Sequence, residues 1–152
     1  MNFVGIHNLL IILITEIVFK NCIMYTKCQR KIILKFINNN EGNLFIDEKV
    51  LNDPLDSQIQ IEIDYAGINR ADILQRKGHY PPPKGESEII GLECSGKVSK
   101  LGRLVKKFSL GDHVCAILAG GGYAEFVNVD EKQVMPLPSN LNSLEAGGLP
   151  ET

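Results

Sequence analysis

The sequence lacks a strong charge of either sign. Its 152 residues carry 16 Lys and Arg against 18 Asp and Glu, a formal net charge of −2. Nonspecific nucleic-acid binding needs a strongly basic face, so this balance argues against a nucleic-acid partner. The length is within the usual range of one domain, and we therefore expect one globular unit.

The glycine-rich phosphate-binding motifs are also missing. No Gly-x-Gly-x-x-Gly enters a helix, and no Walker-type Gly-Lys-Ser/Thr occurs anywhere in the chain. Such motifs present backbone N–H groups to nucleotide phosphates. The triple glycine at residues 120–122 predicts a turn between strands instead. The chain by itself therefore offers no segment that could hold the adenosine pyrophosphate of a dinucleotide.

The four cysteines show no regular spacing. They form neither a Cys-x-x-Cys pair nor a disulfide framework, and they stand at Cys22, Cys28, Cys94 and Cys115. We interpret them as reduced thiols of a cytoplasmic protein. Cys94 and Cys115 lie in apolar segments and are predicted to act as small buried hydrophobic residues.

The first 23 residues lack the marks of a membrane span or a secretory signal. Their longest unbroken apolar run is Leu9 to Ile14. A span needs about 20 predominantly apolar residues, and a signal needs a basic start and a small-residue cleavage site. We predict that residues 1–23 are an apolar extension outside the fold, explained by a misplaced start codon, and that residues 24–152 form the domain. A membrane anchor through residues 3–19 and a targeting peptide are the alternatives.

Alternating apolar and polar residues predict a mainly β fold with short helices. The clearest strand is Ile59 to Tyr65, which has the period of a sheet with one buried face. Asn and Gly predict a turn at residues 38–43, and Ser143 is predicted to cap a short helix. Further strands are predicted at residues 32–36, 44–50, 89–98 and 123–129.

Polar side chains are regularly placed in the stretch from residue 67 to residue 96. Asn69 is predicted to cap a helix of about two turns, because its side-chain oxygen can accept from free backbone N–H groups. Asp72 falls at the third helical position, where a carboxylate offsets the positive helix end. Gly78 permits the left-handed turn that ends such a helix. The helix therefore presents Asn69 at its start and Tyr80 just past its end.

The pattern Asn-x-x-Asp-x-x-x-Arg-x-Gly-x-Tyr, followed by Gly-x-Glu-x-x-Gly, resembles the medium-chain dehydrogenase/reductase superfamily. Within it, the run that starts at Asn69 is most similar to the p53-induced quinone oxidoreductase branch, near zeta-crystallin. The resemblance covers residues 31–152. It implies a GroES-like β-barrel catalytic domain, which in the family precedes a Rossmann NADPH-binding domain that is missing from this sequence.

The resemblance also indicates the chemistry. Zinc-dependent alcohol dehydrogenases of this superfamily have a cysteine where this chain has Asn69, and a histidine where it has Leu92. Catalytic zinc needs about three protein ligands, so no metal site is expected. Asn69 and Tyr80 match the polar residues that line the nicotinamide and substrate cleft of the family. They are therefore predicted to be the catalytic and cofactor-binding residues, able to stabilise a developing oxyanion.

These expectations lead to two functional hypotheses. In the first, the chain is the catalytic-domain fragment of a zinc-independent NADPH-dependent quinone oxidoreductase and is inactive alone. Its partners would be NADPH and a quinone or related small carbonyl, and the family implies a homodimer of the full-length parent. In the second, the chain is a stand-alone GroES-like binding module. Glu93 is predicted to be a buried supporting carboxylate, and Tyr123 a core aromatic unless the glycine turn brings it to the cleft.

Overall fold

The computed structural model of the protein describes residues 33–40 and 43–151, without the side chains of residues 33, 39 and 40. The predicted extension at residues 1–23 lies outside the described residues. Within them, no helix is both long enough and apolar enough to cross a lipid bilayer.

The elements are β1 (Ile33–Asn40), β2 (Asn43–Val50), β3 (Gln58–Tyr65), α1 (Arg70–Arg76), β4 (Glu93–Leu101), β5 (His113–Ile117), β6 (Phe126–Asp130), a 3-10 turn (Glu131–Gln133), β7 (Val134–Pro136) and α2 (Ser143–Ala146).

The strands form a hairpin and a larger sheet. β1 and β2 pair with each other along their whole length. The other strands form a five-stranded antiparallel sheet in the order β6-β3-β4-β5-β7. The described part of the chain is therefore mainly β with two short helices, as the sequence predicts.

The five-stranded sheet is curled. Its two edge strands, β6 and β7, are separated in sequence only by the 3-10 turn. In a flat sheet, these edges would be about 19 Å apart, because neighbouring strands are about 4.8 Å apart. Four steps of extended chain reach at most about 14 Å. The short connection therefore requires the sheet to bend and bring its edges together, which confirms the barrel-like fold.

The core lies inside this curled sheet. Ile59 and Ile61 of β3 are fully buried, and side chains from all five strands complete the cluster. Cys94 and Cys115 are buried free thiols. Burial raises the pKa of Cys94 to about 12 and also raises the pKa of Cys115. Both residues therefore behave as the buried hydrophobic residues that the sequence predicts.

Several local predictions differ from the structure. The strands predicted at residues 89–98 and 123–129 begin later, at Glu93 and Phe126, because residues 89–91 and 121–123 bond each other at the glycine turn. β1 continues through Asn40, where a turn was expected from residue 38, because pairing with β2 outweighs the weak strand preference of Asn. Gln60, expected on the solvent face, is buried and donates to Asn128 Oδ1 at 3.0 Å. The N-cap of α2 is Asn142 rather than Ser143, and its side chain accepts from the Glu145 N–H.

Candidate functional site

Helix α1 begins where β3 delivers the chain to Asn69. Asn69 is the N-cap in extended conformation, and its backbone N–H donates to Asp72 Oδ2 at 2.6 Å. This bond is half of a capping box, in which the third helical residue satisfies a free donor of the N-cap. The helix ends at Arg76, and Gly78 follows with a φ of 73°. The predicted helix and both of its ends are confirmed.

The amide of Asn69 is held by Glu93, the first residue of β4. Asn69 Nδ2 donates to Glu93 Oε1 at 2.7 Å, and the Glu151 backbone N–H donates to Glu93 Oε2 at 2.9 Å. Glu93 is only 1% exposed, so both of its oxygens need donors from the chain. A Cβ at position 67 would lie 2.0 Å from Glu93 Oε1, which explains the glycine there. Glu93 is therefore the buried supporting carboxylate that was predicted.

Asp72 links this arrangement to Tyr123. Asp72 is 3% exposed, and its Oδ2 accepts from the Tyr123 hydroxyl at 2.9 Å. Its Oδ1 has no donor among the residues that the structure describes. Burial, the hydrogen bond to Asp72 and the negative charges of Asp72 and Glu93 all raise the pKa of Tyr123. The phenol therefore stays protonated and serves as a donor.

The glycine turn brings Tyr123 to this position. Gly121, Gly122 and Tyr123 donate their backbone N–H groups to the carbonyl oxygens of Ile89, Gly91 and Ile90, at 2.7 to 3.0 Å. The Gln75 side chain joins α1 to both sides of the glycine turn. Its Oε1 accepts from Gly91 N, and its Nε2 donates to Ala119 O. Asn69, Asp72, Glu93 and Tyr123 thus form one hydrogen-bonded polar cluster. The sequence does not pair Asp72 with Tyr123, and the triple glycine indicates only that Tyr123 follows a tight turn.

Tyr80 lies outside this cluster. It is 48% exposed and follows the turn at Gly78, whereas Asn69 stands at the other end of α1. The seven-residue helix between them is about 10 Å long. The structure therefore places the two predicted site residues at opposite ends of one helix, and the role of Tyr80 stays a prediction.

The described residues around Asn69 do not form a group of metal ligands. Leu92 is buried, and across the described ranges no three His, Cys, Asp or Glu side chains are grouped closely enough to hold a metal ion. The cluster instead combines a neutral amide, a protonated phenol and two buried carboxylates. Within this cluster, the Asn69 amide is the group with a further N–H to donate to an oxyanion, because the Tyr123 hydroxyl donates to Asp72 and the carboxylates only accept.

Replacing Tyr123 with Phe tests the hydrogen bond to Asp72. We expect Tyr123→Phe to lower the free energy of unfolding by about 2 kcal/mol, because a buried carboxylate loses a donor. The native pKa of Tyr123 is raised above the unfolded value of about 10, so the unfolded state releases its proton first. Wild-type stability therefore falls as the pH rises above about 10, and the variant should lose less stability over that range.

Urea unfolding followed by circular dichroism, at about pH 8 and about pH 11, measures both effects. Tyr80→Phe is the matched control, because Tyr80 is exposed to solvent. An alkaline loss of stability that is as steep in Tyr123→Phe as in the wild type would contradict the raised pKa.

A curled antiparallel sheet with a short helix at the end of a central strand defines a GroES-like β domain. The family model for the alcohol dehydrogenase GroES-like domain matches residues 55–139. The chain belongs to this family, in the medium-chain dehydrogenase/reductase superfamily of oxidoreductases.

Two curated relatives are much longer than the part of them that matches this chain. Synaptic vesicle membrane protein VAT-1 homolog-like of Mus musculus is 31% identical over 109 residues, which cover 72% of this chain and 26% of that protein. Quinone oxidoreductase 1 of Escherichia coli K12 is 38% identical over 95 residues, covering 62% of this chain and 29% of that protein. The chain thus spans less than a third of the length of each.

A solved structure of a quinone oxidoreductase also resembles this chain. The crystal structure of Escherichia coli quinone oxidoreductase complexed with NADPH is 29% identical and superposes with a TM-score of 0.61. The match covers 76% of this chain and 36% of that one. The superfamily and the similarity to quinone oxidoreductases, both predicted from the motif around Asn69, are confirmed.

Proposed function

We propose that the chain is the substrate-side domain of a zinc-independent, NADPH-dependent quinone oxidoreductase. The observation that carries the proposal is the fixed amide of Asn69. Its side chain is bonded to buried Glu93 and its backbone to buried Asp72. A neutral amide held in this way is a preorganised hydrogen-bonding group for an oxygen that gains negative charge.

The residues present do not fit a catalytic zinc. Zinc in enzymes is bound by Cys sulfur, His nitrogen or carboxylate oxygen, with one position open. At the two positions where the family's zinc enzymes have Cys and His, this chain has Asn69 and Leu92. The Asn69 amide nitrogen is a hydrogen-bond donor and not a metal ligand, with one of its two hydrogens bonded to Glu93, and Leu92 has no ligand atom. Reduction by this domain is therefore proposed without a metal.

Reduced nicotinamide, when bound, supplies the hydride, and the protein supplies orientation and electrostatics. We propose that Asn69 and Tyr80 contact the nicotinamide and the quinone, since both are neutral groups that can hydrogen-bond an oxyanion. Tyr123 keeps its proton and donates it in a hydrogen bond to Asp72, which in turn holds the Asn69 backbone. The relative crystallised with NADPH supports this choice of cofactor.

The remaining proposals concern the whole protein. We propose that it is cytoplasmic and homodimeric, with a quinone or related small carbonyl as substrate. The chain alone is expected to be inactive, because its sequence contains no dinucleotide phosphate motif.

A chimera tests this function directly. Residues 24–152 of this chain would replace the aligned amino-terminal part of Escherichia coli quinone oxidoreductase 1. We expect the chimera to oxidise NADPH with a quinone acceptor, and the chain alone to show no activity. Asn69→Ala should lower kcat/KM of the chimera by about 100-fold, the usual effect of removing one oxyanion donor.

The control is Arg70→Ala, an exposed neighbour on the same helix, which should retain the activity of the chimera. NADPH fluorescence separates binding from reduction. A chimera that folds and binds NADPH but reduces no quinone would show that the function is wrong. Full activity of the chimera with Asn69→Ala would show that the amide does not stabilise the oxyanion. It would leave the proposed reaction itself unchanged.

A further inference from the structure

The Glu93 carboxylate determines which end of the Asn69 amide faces it. Asn69 Nδ2 lies 2.7 Å from Glu93 Oε1 and donates to it. A carboxylate oxygen only accepts hydrogen bonds, whereas an amide has one donating and one accepting end. The reversed amide would place Asn69 Oδ1 about 2.7 Å from Glu93 Oε1, with no proton between the two oxygens. The amide is therefore held in one of its two orientations.

Glu93 cannot easily turn away from Asn69. Its other oxygen, Oε2, accepts from the Glu151 backbone N–H at 2.9 Å, and the residue is 1% exposed. The side chain also lies against two glycines, because a Cβ at Gly67 would be 2.0 Å from Glu93 Oε1 and a Cβ at Gly148 would be 3.9 Å from it. A rotation of the side chain would break the hydrogen bonds of a buried carboxylate, which is costly.

The backbone of Asn69 is held independently of its side chain. Its N–H donates to Asp72 Oδ2 at 2.6 Å, and the same oxygen accepts from the Tyr123 hydroxyl at 2.9 Å. With the backbone fixed and the side chain anchored at its tip, the main freedom left to Asn69 is a half turn of the amide group, which exchanges its oxygen and nitrogen. This is the freedom that Glu93 removes.

We infer that Glu93 is a positioning residue of the reduction, which keeps the second Asn69 N–H, rather than the carbonyl oxygen, directed at the substrate oxygen. The inference rests on the proposed function, in which the Asn69 amide stabilises an oxyanion. An N–H in this place attracts the developing negative charge, whereas a carbonyl oxygen in the same place repels it. Glu93 acts through Asn69 and does not itself contact the quinone.

The substitution Glu93→Gln separates this role from a purely structural one. Glutamine has nearly the same shape as glutamate, but one of its two acceptor oxygens is replaced by a donor. The Glu151 N–H still requires the acceptor, so the donating end of the new amide faces Asn69. The Asn69 amide then reverses and accepts through Oδ1. Both hydrogen bonds are kept, and we expect the fold to be retained while the N–H that serves the substrate is lost from its place.

NMR of the purified 152-residue chain, labelled with ¹⁵N-asparagine, tests the orientation directly. The side-chain signal of Asn69 is identified by its absence in Asn69→Ala. In the wild type, we expect one Nδ2 proton at low field and in slow exchange with water, because it is bonded to a buried carboxylate. Both features should be lost in Glu93→Gln. The control Glu88→Gln removes the same charge at an exposed position and should leave the signal unchanged.

Activity of the chimera with Escherichia coli quinone oxidoreductase 1 tests the role in reduction. Glu93→Gln should lower kcat/KM by about 100-fold, as Asn69→Ala does, because both variants remove the same donor. The loss should fall mainly on kcat, since the donor acts on charge that develops in the transition state. The double variant Asn69→Ala/Glu93→Gln should be no slower than Asn69→Ala alone. Glu88→Gln should retain the activity.

The two measurements separate the positioning role from the proposed function. Asn69 protons that exchange equally fast in the wild type, or an Asn69 signal that is unchanged in Glu93→Gln, would show that Glu93 does not orient the amide, and quinone reduction would stand. A reversed amide in a fully active chimera would overturn the role of Glu93 in the reaction. A wild-type chimera without quinone reduction would overturn the proposed function and this role with it. Circular dichroism of each variant checks that the fold is retained.

Discussion

Gly91→Ala is expected to lower the free energy of unfolding by about 4 kcal/mol, from backbone strain and a steric clash together. Gly91 has a φ of 107°, which residues with a Cβ rarely adopt. A Cβ there would lie 2.7 Å from Tyr123 N and 2.8 Å from Gly122 Cα. These backbone atoms cannot easily move away from the added Cβ. The N–H groups of Gly122 and Tyr123 donate hydrogen bonds to the carbonyl oxygens of Gly91 and Ile90.

Chemical unfolding in guanidinium chloride measures this loss, and Gly85→Ala is the matched control. Gly85 has a similar φ of 96°, but a Cβ there would have nothing within 4 Å. The control carries the backbone strain alone, about 1 kcal/mol. Similar losses of unfolding free energy in Gly91→Ala and Gly85→Ala would mean that the steric clash with the glycine turn does not contribute.

Ile61→Ala is expected to destabilise the domain by about 4 kcal/mol, near the upper part of the range for isoleucine truncations in cores. Ile61 is completely buried in β3, opposite Val98 of β4 and Val127 of β6. β3 itself is hydrogen-bonded to a strand on each side, so its backbone cannot easily move to fill the cavity. The lost transfer energy and the cavity both contribute to the cost.

Ile68→Ala is the control for this prediction, and thermal or chemical unfolding is the measurement. Ile68 is 85% exposed, so its truncation should change the stability by less than about 0.5 kcal/mol. A large loss in Ile68→Ala would show that Ile68 is packed in the folded protein. A small loss in Ile61→Ala would show that the curled sheet can repack.

The sequence predicts those features that depend on neighbouring residues. The alternation in β3 and the capping residues of α1 are local patterns, and each element appears where they indicate. The burial of Gln60 was not predictable in this way. Its partners include Asn128, which lies 68 residues further along the chain. Only the pairing of β3 with β6 brings the two amides together.

Some features of the candidate site are also predictable from neighbouring residues, and others are not. The position of Asn69 follows from the helix signal, and the burial of Glu93 follows from its apolar neighbours. The bond from Tyr123 to Asp72 joins residues 51 positions apart, so no local pattern contains it. The glycines of the turn indicate a close approach of two backbones, but they do not say which ones. Knowledge of the sheet order was needed to place the phenol beside α1.

Glu93 connects two distant segments through a single planar group. One of its oxygens accepts from the Asn69 side chain, and the other accepts from the backbone at Glu151. The two oxygens cannot move independently, since both are bonded to the same carbon. A shift of the backbone at Glu151 therefore tilts the Glu93 carboxylate and changes the orientation of the Asn69 amide. The path of the chain near residue 151 is in this way mechanically coupled to the N-cap residue of α1.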